Sequence, residues 1–156
     1  MCGIFGVVNG RISREKAQEC LNTLSHRGPD GDGIYIDDKV VLGHRRLAIL
    51  DLSDNGKQPM ESKDGRYIIT YNGEIYNFLE VRSKLKRLGY SFISDSDTEV
   101  ILTAYMEWGE DALNRFNGMW AFAIWDKLEK NLFLARDRFG IKPLFYTWLE
   151  DGGFAF

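Results

Sequence analysis

Much that would announce a function is scarce in these 156 residues: there are two cysteines, two histidines, a net charge of only −3 and no long apolar run. Two thiols, Cys2 and Cys20, are no disulfide framework, and a reducing cytoplasm suits both. Cys20 falls on the stripe Ala17, Cys20, Leu21, Leu24, whose helical spacing predicts a small buried hydrophobe. Neither His26 nor His44 has a partner at metal-ligand spacing, so no metal site is read. The charges of both signs are interspersed. The most basic stretch, Arg82 to Gly89, is interrupted by leucines at helical spacing, and it reads as a solvated helix face rather than a nucleic-acid patch. No segment approaches the roughly 20 apolar residues that span a bilayer. The start lacks the basic, apolar, small-residue order of a signal peptide. Neither a membrane nor a nucleic acid is expected as a partner, and no internal repeat or linker divides the chain.

A composition 44% hydrophobic and 28% charged is that of a globular protein. A chain of this length buries about 70% of its unfolded surface and needs no staples. Strands are predicted at "IFGVV", "GIYID", "VVLGHRRLAIL", "RYIITYNG", "YSFIS", "MWAFAIWD", "NLFLARD", "PLFYTWL" and "FAF". Helices are predicted near 14–25, with Ser13 as N-cap, over 77–88 and after "DSDTE", the last two stopped by Gly89 and Gly109. A shorter helix is expected around 111–116. "MWAFAIWD" carries large apolar residues on both faces, as a strand covered on both sides does. Together these elements make a layered α+β domain. "GGFAF" stops inside strand-like sequence, and a piece of a longer polypeptide is expected.

The chemistry concentrates at the start. Removal of Met1 would leave a thiol and a free α-amine on one carbon. The amine titrates near about 7.7–8.0 and the thiol near about 8.5, so the amine can take the thiol proton near neutrality. An N-terminal nucleophile thus carries its own general base. The plainer reading is that position 2 simply holds a small residue. "YNGE" offers the Asn72 side-chain amide and the Gly73 N–H as fixed donors for a tetrahedral oxyanion, or else is a strand-ending Asn-Gly turn. "GHRRLAIL" offers an arginine fork for a carboxylate, or a surface ion pair. "SDSDTE" caps the helix that follows, and a carboxylate there could also bind an ammonium group.

In order along the chain, "CGIFG", "HRGPDG", "HRRLAI", "QP", "YNGEIYN", "SDTE", "GMWAFAIWD" and "ARDRFGIKPLFY" resemble the class II glutamine amidotransferase domain of the asparagine synthetase type. The resemblance covers residues 1–156 and is closer to asparagine synthetases than to sugar-phosphate or phosphoribosyl amidotransferases. It implies a four-layer αββα sandwich of the N-terminal nucleophile hydrolase fold, and hydrolysis of glutamine to glutamate and ammonia. By resemblance, Cys2 is the nucleophile and its freed amine the general base and later acid. Asn72 and Gly73 are the oxyanion donors, Arg46 grips the glutamine α-carboxylate, and Asp97 holds the α-ammonium with help from Glu74. Arg27 and Gly28 belong to a loop near the nucleophile.

The resemblance further implies a C-terminal synthetase domain, on the same chain or a separate one, that captures the ammonia. ATP and magnesium belong to that domain, and no cofactor is expected in this one. Two other readings stand beside this one. One is an N-terminal-cysteine amidohydrolase acting on a different amide. The other is a catalytically silent module that binds glutamine or docks a partner, favoured if Met1 is retained.

Overall fold

A computed structural model describes residues 1–156. The chain runs β1 (Gly3–Val8), α1 (Arg14–Thr23), β2 (Gly31–Ile36), β3 (Val40–Arg46), β4 (Met60–Glu61), β5 (Tyr67–Ile75), α2 (Phe78–Arg87), α3 (Asp97–Trp108), β6 (Gly118–Asp126), β7 (Asn131–Arg136), β8 (Thr147–Trp148) and β9 (Phe154–Ala155). Two antiparallel sheets result, one in the order β2-β3-β1-β9-β8 and the other β4-β5-β6-β7.

The period-two alternation of β5 and β6 explains how the layers stack. Ile69, Tyr71, Phe122 and Ile124 pack with Val81 and Leu85 of α2 and with Val100, Ile101 and Ala104 of α3. The opposite face contributes Ile68 and Trp125 to a second cluster with Val8, Val40 and Leu42 of the first sheet. Thr70 Oγ1 donates to Gly43 O at 3.0 Å across the same gap. On the far side of the first sheet, Leu21 of α1 lies against Gly43. The order is therefore helix, sheet, sheet, helices, the expected four layers. β6 is buried from Trp120 to Asp126, which is why it reads as apolar on both faces.

Local rules account for the helix ends. Ser13 Oγ accepts from Lys16 N and Ser96 Oγ from Glu99 N, so both predicted caps form. The differences lie where polar side chains replace a ladder. "YSFIS" forms no strand, because the Ile93 and Ser94 N–H groups are taken by the Glu99 carboxylate instead. β3 stops at Arg46 rather than running to Leu50, and "PLFYTWL" reduces to Thr147–Trp148. The helix expected near 111–116 is a 3-10 turn over Gly109–Arg115. β4 lies unforeseen inside the polar loop. Cys20 is half-buried, not fully buried.

Ile101 is completely buried between α3 and the second sheet. Ile101→Ala should cost about 2–5 kcal/mol by loss of transfer energy and cavity creation, read as a lowered midpoint in urea unfolding.

Candidate active site

The same alternation that buries Ile68 and Thr70 between the sheets carries Asn72 and Glu74 onto that face, at the C-terminal end of β5. A cavity of about 210 Å³ opens there. Cys2, Arg46, Asn72, Gly73, Glu74 and Asp97 all line it, although they come from four separate stretches of sequence.

Cys2 sits immediately before β1. Its Sγ lies 3.4 Å from Leu47 N and 3.6 Å from Leu47 O. Arg27 Nε donates to the Cys2 carbonyl at 3.0 Å, so the loop of "HRGPDG" steadies the backbone at Cys2. Gly28 has no room for a Cβ, which would strike the backbone between Arg45 and Arg46.

Asn72 is 4% exposed and faces the cavity. Gly73 is set by the strand's alternation. The Tyr71 N–H donates to Gln58 Oε1 at 2.7 Å, and the Ile75 N–H donates to Asp97 Oδ2 at 3.0 Å. The Gly73 N–H lies between them on the same edge of β5, beyond the two residues that β4 covers. A Cβ at Gly73 would collide with the Met119 carbonyl of β6, so close pairing there requires glycine. An amide side chain and a backbone N–H thus stand next to each other on a rigid strand. That is a pair of donors suited to an oxyanion.

Opposite charges are placed around them. Arg46 Nη1 donates to Ser53 O at 3.0 Å and Nη2 to Asp51 O, which holds the guanidinium by two of its five N–H groups and leaves three for a carboxylate. Asp97, 5% exposed, is the first residue of α3, and its Oδ2 accepts from the Tyr71 hydroxyl at 2.7 Å. Burial pushes the Asp97 carboxyl up, while the Ile75 N–H and the Tyr71 hydroxyl oppose that rise. Burial, and next the Asp97 charge, push the Tyr71 phenol well up, so the phenol stays a donor. An arriving ammonium group would relieve the cost of burying the carboxylate. Glu74 is exposed at the rim, and its charge adds to the rise at Asp97.

His44 belongs to the frame of the site. It is 1% exposed, and its Nε2 lies 3.1 Å from the Tyr71 carbonyl, so Nε2 carries the proton. Burial, with Arg46 adding to it against the Tyr71 carbonyl, lowers it to about 4. The ring is neutral at physiological pH and acts as a strut between β3 and β5.

Gln58 and Lys142 are among the cavity residues that had no individual role in the sequence reading. Gln58 bridges Tyr71 N and Thr98 Oγ1, and Lys142 projects from the turn after β7. The signal for Lys142 was a lone cation between Ile141 and Pro143 in an otherwise apolar stretch.

The family model described as "Glutamine amidotransferase domain" matches residues 1–156. The chain belongs to this family. This amidotransferase domain is 46% identical to asparagine synthetase [glutamine-hydrolyzing] 1 of Bacillus subtilis over 157 residues, which cover 97% of the chain and 25% of that relative. It is 43% identical to a putative asparagine synthetase [glutamine-hydrolyzing] 2 of Methanocaldococcus jannaschii, covering 95% of the chain and 32% of the relative. The domain therefore spans about a quarter to a third of the length of these curated relatives. Among solved structures, the glutamine phosphoribosylpyrophosphate amidotransferase of B. subtilis superposes with a TM-score of 0.83 at 22% identity, over 97% of this chain and 40% of that one. That likeness is one of fold, and the four layers are those of the N-terminal nucleophile hydrolase fold.

His44 gives a pH test. Its folded value of about 4 lies below the ordinary 6.5, so under pH 6.5 the unfolded chain binds a proton the folded chain refuses. The stability this residue contributes is complete above pH 6.5 and is lost as pH falls towards 4, on the order of 3 kcal/mol in all. In urea unfolding across that range, His44→Gln should lack this part of the slope.

Proposed function

We propose that this domain hydrolyses glutamine to glutamate and ammonia through a γ-glutamyl thioester on Cys2, once Met1 has been removed. The single observation that carries the reading is the meeting of Cys2 with Asn72, Gly73, Arg46 and Asp97 around one cavity. A zwitterionic substrate needs both charge signs at one end and uncharged donors at the other, and this cavity offers both.

The α-amine of Cys2 takes the thiol proton, and the sulfur attacks the glutamine Cδ. The Asn72 amide and the Gly73 N–H receive the negative charge on the carboxamide oxygen. The C–N bond breaks, and ammonia departs with the proton held by the amine. Water then adds to the thioester and yields its proton to the same amine. The C–S bond breaks, and the thiol is restored as glutamate leaves. Arg46 would hold the substrate α-carboxylate through its free N–H groups, and Asp97, with Glu74 at the rim, the α-ammonium. With Met1 in place the base is an amide nitrogen, which accepts no proton, and Met1 itself lines the cavity. In that form the chain is the silent module of the alternative reading.

The relatives are named as glutamine-hydrolysing asparagine synthetases and are three to four times as long. We therefore assign the ammonia to an amide-forming synthetase, with aspartate as the acceptor. It lies on the same polypeptide or a partner chain, and ATP and magnesium are used there rather than in this domain. A reducing, cytoplasmic setting suits the free Cys2 thiol; no helix of the domain is long and apolar enough to cross a membrane.

Intact mass spectrometry should find a chain lacking methionine that gains a single adduct at Cys2 from a glutamine-like electrophile. Asn72→Ala should lower kcat for glutaminase about 10²–10³-fold. Full activity in Cys2→Ala would sink the proposal.

A further inference from the structure

Lys142 is 4% exposed, so its charged head has been taken out of water, yet it makes no ion pair. The one polar contact of its Nζ is the Met1 thioether sulfur, 2.8 Å away. Burying a cation without an anion costs free energy, and a methionine or leucine would fill the same space without that cost.

The turn that delivers this lysine is unusually constrained. One carboxylate, Asp137, accepts the N–H groups of Trp120, Phe139, Ile141 and Lys142 at 2.9–3.2 Å. Burial works to raise the Asp137 carboxyl, but these backbone donors outweigh it and hold it low. Arg136 closes the turn from the other side, donating to the carbonyls of Lys142 and Gly140 at 2.6 Å each. Gly140 takes a φ of 65°, which a side chain would resist. Asp137 and Arg136 thus fix the shape of the turn, Arg138 points away to Asn114, and the lysine is the residue of the turn that lines the cavity.

We infer that Lys142 is a positioning residue for the amino-terminal base: after Met1 is removed, its ammonium disfavours a second positive charge on the Cys2 α-amine, keeping that amine free to accept a proton at neutral pH. The inference rests on the glutaminase reading above and deepens it. The covalent path from Met1 Sδ to Cys2 N is five bonds, so Nζ and that amine lie within about one Debye length.

The other charged groups around the amino terminus are held in place by bonds of their own. Arg27 donates through Nε to the Cys2 carbonyl while its Nη2 is buried without a partner, and Arg46 donates to the carbonyls of Asp51 and Ser53. The Asp51 carboxylate accepts from Ser53 and Asp95 N, and the Asp97 carboxylate from Tyr71 and Ile75 N. His44 is neutral, and Glu74 at the rim makes no ion pair with Lys142. These groups act alike in the parent and in a Lys142 variant, so the difference between the two isolates the lysine.

The test uses the processed chain, Lys142→Met and Lys142→Arg, with circular dichroism to establish equal folding. Two pH profiles are measured: kcat/KM for glutamine, and the rate of Cys2 alkylation by iodoacetamide without glutamine. Loss of the cation should move the acidic limb of both profiles up by about one pH unit in Lys142→Met, and arginine should restore it. Unmoved limbs would overturn the inference, as would a raised KM with unmoved limbs, which would make Lys142 a substrate contact. A parent that turns over no glutamine would instead overturn the glutaminase reading, and the alkylation profile would still decide the role of the lysine.

Discussion

Everything at the cavity depends on how completely Tyr71 is tied down. Its N–H is taken by Gln58, its carbonyl by His44 and its hydroxyl by Asp97, so three different parts of the chain hold one residue. Each tie runs in a separate direction: to the loop before β4, across the gap to the first sheet, and outward to α3. The next two residues on the strand are Asn72 and Gly73. Donors for an oxyanion are useful only if they need not reorganise as charge develops, and a strand clamped in three directions supplies that stiffness. The neutrality of His44 follows from the same demand, since a buried strut that gained a proton would lose its place.

The cavity also separates the labour of its charges. Asp97 is buried and hydrogen-bonded, whereas Glu74 is exposed at the rim, so two carboxylates close together play unequal parts. Arg46 is half committed to a polar loop, which fixes the guanidinium while leaving an edge open. A substrate carrying both signs would meet partners whose orientation was settled by bonds within the protein. Binding then spends little on ordering them.

Much of this was legible in the sequence because local rules agreed with the tertiary outcome. The caps at Ser13 and Ser96, the helix-stopping Gly89 and Gly109 and the two-faced burial of β6 all follow from neighbours within a few positions. The six residues that the motifs singled out do meet at one cavity. What was hidden depends on partners far along the chain. "YSFIS" has the composition of a strand, but a glutamate six residues ahead captures the N–H groups that a ladder would need. Lys142 looks like an ordinary surface lysine until Asp137 and Arg136 fold its turn inward. Cys20 sits on an apolar stripe, yet α1 covers the sheet at an angle that buries Ala17 and Leu21 and leaves the thiol half open.

One pairing gives the molecule an order in time. Gly6 exchanges both of its backbone hydrogen bonds with Phe156, and β9 lies along Val7 and Val8. The space that a side chain at Gly6 would need is filled by the Phe156 ring. On a ribosome the strand that follows Cys2 is therefore made first but gains its second neighbour only when residues 154–156 emerge. Until then the β9 flank of β1 has no partner, so the first sheet is completed only after the strands of the second have been made.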